Sequence, residues 1–403
     1  MKDASLKINP QLGFLNNIEW MNAPASEIFI SVNDRNHPEL PVLSASQEWG
    51  MIYRDEGGMN IFHDVANEVT YKRVKPGQFV IHLRSFQGGF AHSKVEGITS
   101  PAYTILDFKD KNKHNDLFWK YVLTSEEFIK RLELITYGIR DGRSINFSDF
   151  STLKFQFPSY EAQQKIGSFL SNIDSLIQAK TKKLESLKAV KKSLLQKSFP
   201  KAGKKIPEMR FTGFSGDWEE KKLTDEITLY SGLTYTPKNV CEYGTLVLRS
   251  SNVQNGEINL EDQVRVKTEV VNSQNVEKGD IIVVVRNGSK ALIGKHAQIK
   301  SEMDNTVIGA FMAGIKSKQP EFMNALLSSE KFDHEVEINL GATINQITNS
   351  TFDKMFFYFP STEEEQQKIG QFFSKYDSLI SAQQKEIDKL KDIKKSLLQK
   401  MFV

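Results

Sequence analysis

The sequence predicts a mixed α/β protein: two tandem globular blocks in a pseudo-two-fold arrangement, separated by two long helices that pair as an antiparallel coiled coil. Three observations predict this. A repeat has a period of half the 403 residues, the most similar part of each repeat carries an apolar stripe at helical spacing, and the rest alternates strand-like runs with turn residues.

The repeat is clearest in three strings at one offset of 203 residues. Gln163-Gln164-Lys165-Ile166-Gly167 returns as Gln366-Gln367-Lys368-Ile369-Gly370, Asp174-Ser175-Leu176-Ile177 as Asp377-Ser378-Leu379-Ile380, and Lys191-Lys192-Ser193-Leu194-Leu195-Gln196-Lys197 as Lys394-Lys395-Ser396-Leu397-Leu398-Gln399-Lys400. Weaker echoes run through the larger blocks: Gly13-Phe14 with Trp20 against Gly213-Phe214 with Trp218, Val74-Lys75-Pro76-Gly77 against Val276-Glu277-Lys278-Gly279, and Phe157-Pro158 against Phe359-Pro360. The chain therefore divides into blocks 1–157 and 201–359, each followed by a near-identical segment, 158–200 and 360–403.

In those segments, 4,3 spacing selects Ile166, Leu170, Ile173, Ile177, Leu184, Leu187 and Leu194, with Lys180 and Lys191 as the polar members. In the second copy it selects Ile369, Phe373, Tyr376, Ile380, Ile387, Leu390 and Leu397, with Gln383 and Lys394 at the same two places. Pro158 and Pro360 precede the segments and Pro200 follows the first, as helix boundaries require. Helices over 161–198 and 363–401 follow, each about 55 Å long. Such a stripe must be covered, either by the helix's own block or by the other helix; the duplication favours an antiparallel pair. The shared polar positions either fix register or let long side chains reach water.

Both blocks read as mixed α/β. Gln78–Leu83 and Ile281–Val285 are strand-like, Leu117 to Leu134 and Phe322 to Phe332 are helix-like, and Gly57-Gly58, Gly88-Gly89, Asn255-Gly256 and Asn287-Gly288 mark turns. Basic and amide-bearing loops follow the strands. Arg, Asn and Gln suit base edges, and Lys suits phosphates. The candidates for contact with nucleic acid are Arg84, Gln87, Arg140 and Arg143 in the first block, and Arg249, Asn252, Arg286, Asn287, Lys290 and Asn345 in the second. An ordinary surface loop has the same composition.

Charge and composition set limits. The net charge is −1 over 1–157, +5 over 158–200, −2 over 201–359 and +1 over 360–403, so any nucleic-acid surface must be one face of a near-neutral block. The single cysteine, Cys241, excludes a disulfide framework and fits the reducing cytoplasm. No apolar run predicts a membrane span or signal peptide. An Asn-Pro-Pro-Tyr-like tetrad is missing, since Asn9-Pro10 leads to Gln11-Leu12. Gly288 to His296 is one residue too long for a phosphate-binding loop and has His296 where Ser or Thr would hold magnesium. The seven histidines show no short metal-ligand spacing. No catalytic or metal site is expected.

On its duplicated helix strings, each preceded by Phe-Pro, and on Met209-Arg210-Phe211-Thr212-Gly213-Phe214 with Trp218, the chain resembles the specificity subunits of type I restriction-modification systems. In the first block, Leu12-Gly13-Phe14 stands where this opening would be. The resemblance implies two target-recognition domains, each reading half of a bipartite double-stranded DNA target. It also implies helices that set the spacer between the half-sites, their length of about 55 Å corresponding to roughly 16 base pairs of duplex, and that dock two methylation subunits. Motor/nuclease subunits complete the assembly. S-adenosylmethionine, ATP and magnesium would belong to those partners and none to this chain. Two other readings stay open: a coiled-coil scaffold with two protein-binding heads, and the same module serving a fused endonuclease–methyltransferase.

Overall fold

A computed structural model describes residues 18–46, 49–57, 65–82, 89–133, 146–340 and 345–401. It falls into two compact units, and the cuts lie inside the long helices: one unit holds residues up to Ala179 together with Ile387 onward, the other Lys180–Glu386.

In the first unit, an antiparallel sheet runs in the order Phe29–Val32, Thr104–Phe108, Phe79–Ile81, Phe90–His92. Phe79, Val80 and Ile81 are all buried, which is why their sequence is a continuous apolar run rather than an alternating one. The strand Trp20–Pro24 pairs antiparallel with Lys154–Pro158, Trp20 opposite Pro158, so the block is closed where the first long helix begins. The core is aromatic: Phe29, Phe79, Phe108, Phe118, Trp119, Phe150 and Phe155 are buried together, and the Phe29 and Trp119 rings meet edge-on at 5.1 Å.

The second unit repeats the plan. Its sheet runs Ile227–Ser231, Met312–Ser317, Ile281–Val284, His296–Gln298, and Glu219–Lys222 pairs with Phe356–Phe359. It adds a four-stranded sheet in which Thr245–Leu248 lies parallel to Thr306–Ile308.

The helices expected over Leu117–Leu134 and Phe322–Phe332 are each two. Asp116–Leu123 is followed by Glu126–Glu133, and Pro320–Leu327 by Glu330–Asn339. A serine makes each break: Ser125 Oγ accepts from the Phe128 amide at 3.2 Å and Ser329 Oγ from the Phe332 amide at 3.4 Å, caps that restart the chain in a new direction.

The long helices span Tyr160–Ser198 and Glu363–Met401. Within the first unit Lys394 Nζ lies 2.5 Å from Asp174 Oδ1. Within the second, Lys191 pairs with Asp377 and Lys180 Nζ lies 2.7 Å from Glu386 Oε2. Partners fall in number as the first helix rises, so the pairing in the second unit is antiparallel. Both expected ways of covering the stripe operate. Ile166 and Leu170 join the first block's core, and Ile369 and Phe373 the second's. Ile173, Leu184 and Ile387 are also buried, while Ile177, Leu187, Leu194, Tyr376, Ile380, Leu390 and Leu397 are half-buried. No helix among the described residues is long and apolar enough to cross a membrane.

Candidate nucleic-acid interface

Three loops of the second unit converge. The Asn287 amide donates to the Asn345 carbonyl at 3.3 Å, Asn345 Nδ2 to the Gly288 carbonyl at 3.0 Å, and Asn287 Nδ2 to Ser250 Oγ at 3.0 Å. Arg286 also pairs with Gln346 in an isolated antiparallel bridge. Segments 249–252, 286–290 and 345–346, which the sequence marked separately, are thus one surface.

The side chains divide by what they can still do. Arg286 and Lys290 are exposed, and among the described residues neither has a carboxylate partner. The Arg286 guanidinium lies 5.1 Å from the centroid of the Phe311 ring. Arg249 is one-third exposed and held by Asp262 at 2.6 Å. Asn287 and Asn345 are half-buried and spend their amides on the loops. Asn252 is a correction. It is fully buried, accepts from the Arg249 amide at 2.8 Å, and donates to the carbonyls of Asn259 at 2.9 Å and Asp262 at 2.7 Å. With its donors and acceptor used inside the loop it shapes Arg249's surroundings and cannot face a base. In the first unit, Arg84, Gln87, Arg140 and Arg143 lie outside the described residues.

The repeated strings acquire structural reasons that spacing did not reveal. Gln163 is fully buried and tethers three segments: Nε2 donates to the Lys113 carbonyl at 3.0 Å and the Pro158 carbonyl at 2.8 Å, while Oε1 accepts from the Asn115 amide at 3.0 Å. A Cβ on Gly167 would sit 2.6 Å from the Phe118 nitrogen, and one on Gly370 2.5 Å from the Phe322 nitrogen. Glycine is there because another backbone occupies the space.

The polar stripe positions Lys191 and Lys394 pair with the aspartates of the other copy's Asp-Ser-Leu-Ile string. Asp174 also accepts from Tyr121 Oη at 2.7 Å and lies 3.1 Å from Lys120 Nζ. Burial pushes its carboxyl up, yet Lys394, Tyr121 and Lys120 together hold it below the ordinary range. Burial and the bond to Asp174 push the Tyr121 hydroxyl up. Arg210, in the opening string of the second block, clamps buried Glu365 with bonds of 2.7 and 2.8 Å.

Two sheet-based domains of one plan, the second with its loops gathered into one surface beyond its strand ends, define a tandem recognition protein. The family described as type I restriction modification DNA specificity domain matches residues 22–189 and again 215–392, and the chain belongs to that family, with two of its DNA specificity domains in tandem. Among relatives, the type I restriction enzyme MjaVIII specificity subunit of Methanocaldococcus jannaschii is 26% identical over 73% of this chain and 71% of its own. The StySPI specificity subunit of Salmonella potsdam is 28% identical over 41% of this chain and 36% of its own. The type I restriction-modification S subunit from M. genitalium has the same fold, with a TM-score of 0.66 at 16% identity over 98% of this chain and 99% of that one. A chain from a structure concerned with complex assembly and conformational transition of the type I system matches with a TM-score of 0.52 at 14% identity, covering 96% and 98%.

Proposed function

We propose that this chain is the non-catalytic DNA-reading subunit of a type I restriction-modification enzyme, each domain reading one half of a bipartite, asymmetric target in double-stranded DNA. The observation that carries this is the convergence of exposed Arg286 and Lys290, without a carboxylate partner among the described residues, with Arg249 on one loop surface of a family DNA specificity domain. Arginine serves base edges and lysine phosphates, and the loop amides fix the frame that holds them. The paired helices set the separation of the half-sites and dock two methylation subunits; motor/nuclease subunits join the assembly. S-adenosylmethionine, ATP and magnesium serve those partners, and the target adenine turns out of the duplex into a partner's site. The assembly works in the cytoplasm.

The test is methylome sequencing of a host free of adenine methylation, expressing this chain with its cognate methylation subunit. Two short half-sites at a fixed gap, with N6-methyladenine in each, are expected. No new methylation, with the same methylation subunit active beside another specificity chain, refutes the reading.

A further inference from the structure

Beside the loop cluster stands an exposed aromatic residue that no polar pattern would select. Phe311 is 52% exposed at the tip of a turn closed by the Met312 amide donating to the Gly309 carbonyl at 2.9 Å. Its own carbonyl accepts from the amides of Val285 at 3.0 Å and Arg286 at 3.2 Å, and the Gly309 amide donates to the Leu248 carbonyl at 2.9 Å. The turn is therefore fastened on both sides, to the strand end before Arg249 and to the strand end at Arg286.

A lone exposed phenylalanine is ordinary on a protein surface. Three features set this one apart. Its backbone is fixed by hydrogen bonds rather than carried on a free loop. Its ring lies 5.1 Å from a guanidinium that has no carboxylate partner among the described residues, so the two groups form one presented unit. And the aligned position of the first domain carries alanine. Ile81 faces Thr104 in the first sheet as Val283 faces Ala313 in the second; one residue before Tyr103 and Met312 stand Ala102 and Phe311, so the methyl group of Ala102 occupies the place of this ring.

We propose that Phe311 is a specificity-determining residue of the second domain, its ring set against the C5-methyl group of a thymine in the major groove, beside the base pair that Arg286 contacts. Phenylalanine is one of the side chains that make apolar contact with that methyl, and arginine pairs with the adjacent acceptors of guanine. The spacing of ring and guanidinium is on the scale of neighbouring base-pair steps, about 3.4 Å apart. This inference rests on the DNA-reading role proposed above.

The experiment compares wild type and Phe311→Ala, each with the methylation subunit, by methylome sequencing and by binding to duplexes in which deoxyuridine replaces each thymine of the second half-site. Phe311→Ala removes an exposed side chain and leaves the backbone bonds of the turn in place. The variant is expected to lose specificity at one or two adjacent positions of the second half only. Its affinity for the cognate duplex should fall roughly five- to tenfold, with non-specific binding unchanged. One deoxyuridine should weaken wild type to a similar degree and leave Phe311→Ala unaffected. A motif as sharp as wild type's, or wild-type binding indifferent to every deoxyuridine, overturns the proposal while the DNA-reading role stands. A wild type that methylates nothing overturns both.

Discussion

Replacing Arg210 by alanine should destabilise the second domain severely, and the structure gives the size. Its side chain is 13% exposed and that of Glu365 2%. The guanidinium spends Nε and Nη2 on the two carboxylate oxygens, and Nη1 and Nη2 on the carbonyls of Gly216 at 2.6 Å and Ser215 at 3.1 Å. Arg210→Ala leaves a buried carboxylate without its cation, a loss of about 3–5 kcal/mol. That is a large part of the total stability of an ordinary domain. In urea unfolding followed by the domain's tryptophan, Trp218, the midpoint should fall by about 1 M or more. Adding Glu365→Gln to Arg210→Ala should recover part of the loss, because the buried charge is then gone. A single variant that loses less than about 1 kcal/mol, or a double variant no better than the single, would refute the reasoning. The repeat carries its own control: the first copy has Ala162 at the position of Glu365 and no arginine before Gly13, so both halves of the clamp are missing together.

Three further outcomes are expected. Gly370→Ala, which in an open helix would gain about 1 kcal/mol, should instead cost about 1–3 kcal/mol. The added Cβ meets the Phe322 nitrogen at 2.5 Å, and thermal unfolding reads the sign directly. His114 is buried among Phe108, Trp119 and Phe157, its Nδ1 has no hydrogen-bond partner among the described residues, and burial pushes its pKa down to about 4. The unfolded chain binds that proton more readily, so the first domain should lose stability as pH falls from about 6.5 towards 4. His114→Phe should flatten that part of a pH–stability profile; an unchanged profile assigns the dependence elsewhere. Finally, Leu176 is 44% exposed and Leu379, its repeat mate, 55%. Replacing both by aspartate should abolish co-purification with the methylation subunits while circular dichroism stays native. Retained co-purification would move the docking surface off these two leucines. Their neighbours Ile177 and Ile380 are half-buried in the stripe and would report helix packing instead.

The long helices were legible because their signal is local and repeated: spacing and flanking prolines placed them at 161–198 and 363–401, against observed bounds of Tyr160–Ser198 and Glu363–Met401. The paired strands Phe79–Ile81 and Ile281–Val284 were legible for the same reason. The breaks at Ser125 and Ser329 were not, since an apolar pattern runs on through a cap and only the serines signalled it. Site residues were harder because a loop's composition does not say which way a side chain points. Asn252 and Arg286 look alike in sequence as loop polar groups; one is sealed under Asn259 and Asp262 and the other faces water. The partners of Lys191 and Lys394 were half-visible, since the aspartates belonged to a repeated string, but the pairing between copies needed the antiparallel geometry.

The division of the chain into compact units bears on how it is made. The second unit is one unbroken stretch, Lys180–Glu386, whereas the first is interrupted by it and resumes at Ile387. Leu397, Leu398 and Met401 pack against the core of that first unit. On the ribosome, the domain begun first therefore waits for residues 387–401 to emerge, and the domain begun second needs nothing beyond Glu386. A chain stopped at Glu386 would leave the older domain without Leu397, Leu398 and Met401 on its core and the younger one whole. Translation through the second helix is thus a condition for completing the half of the protein that was begun first.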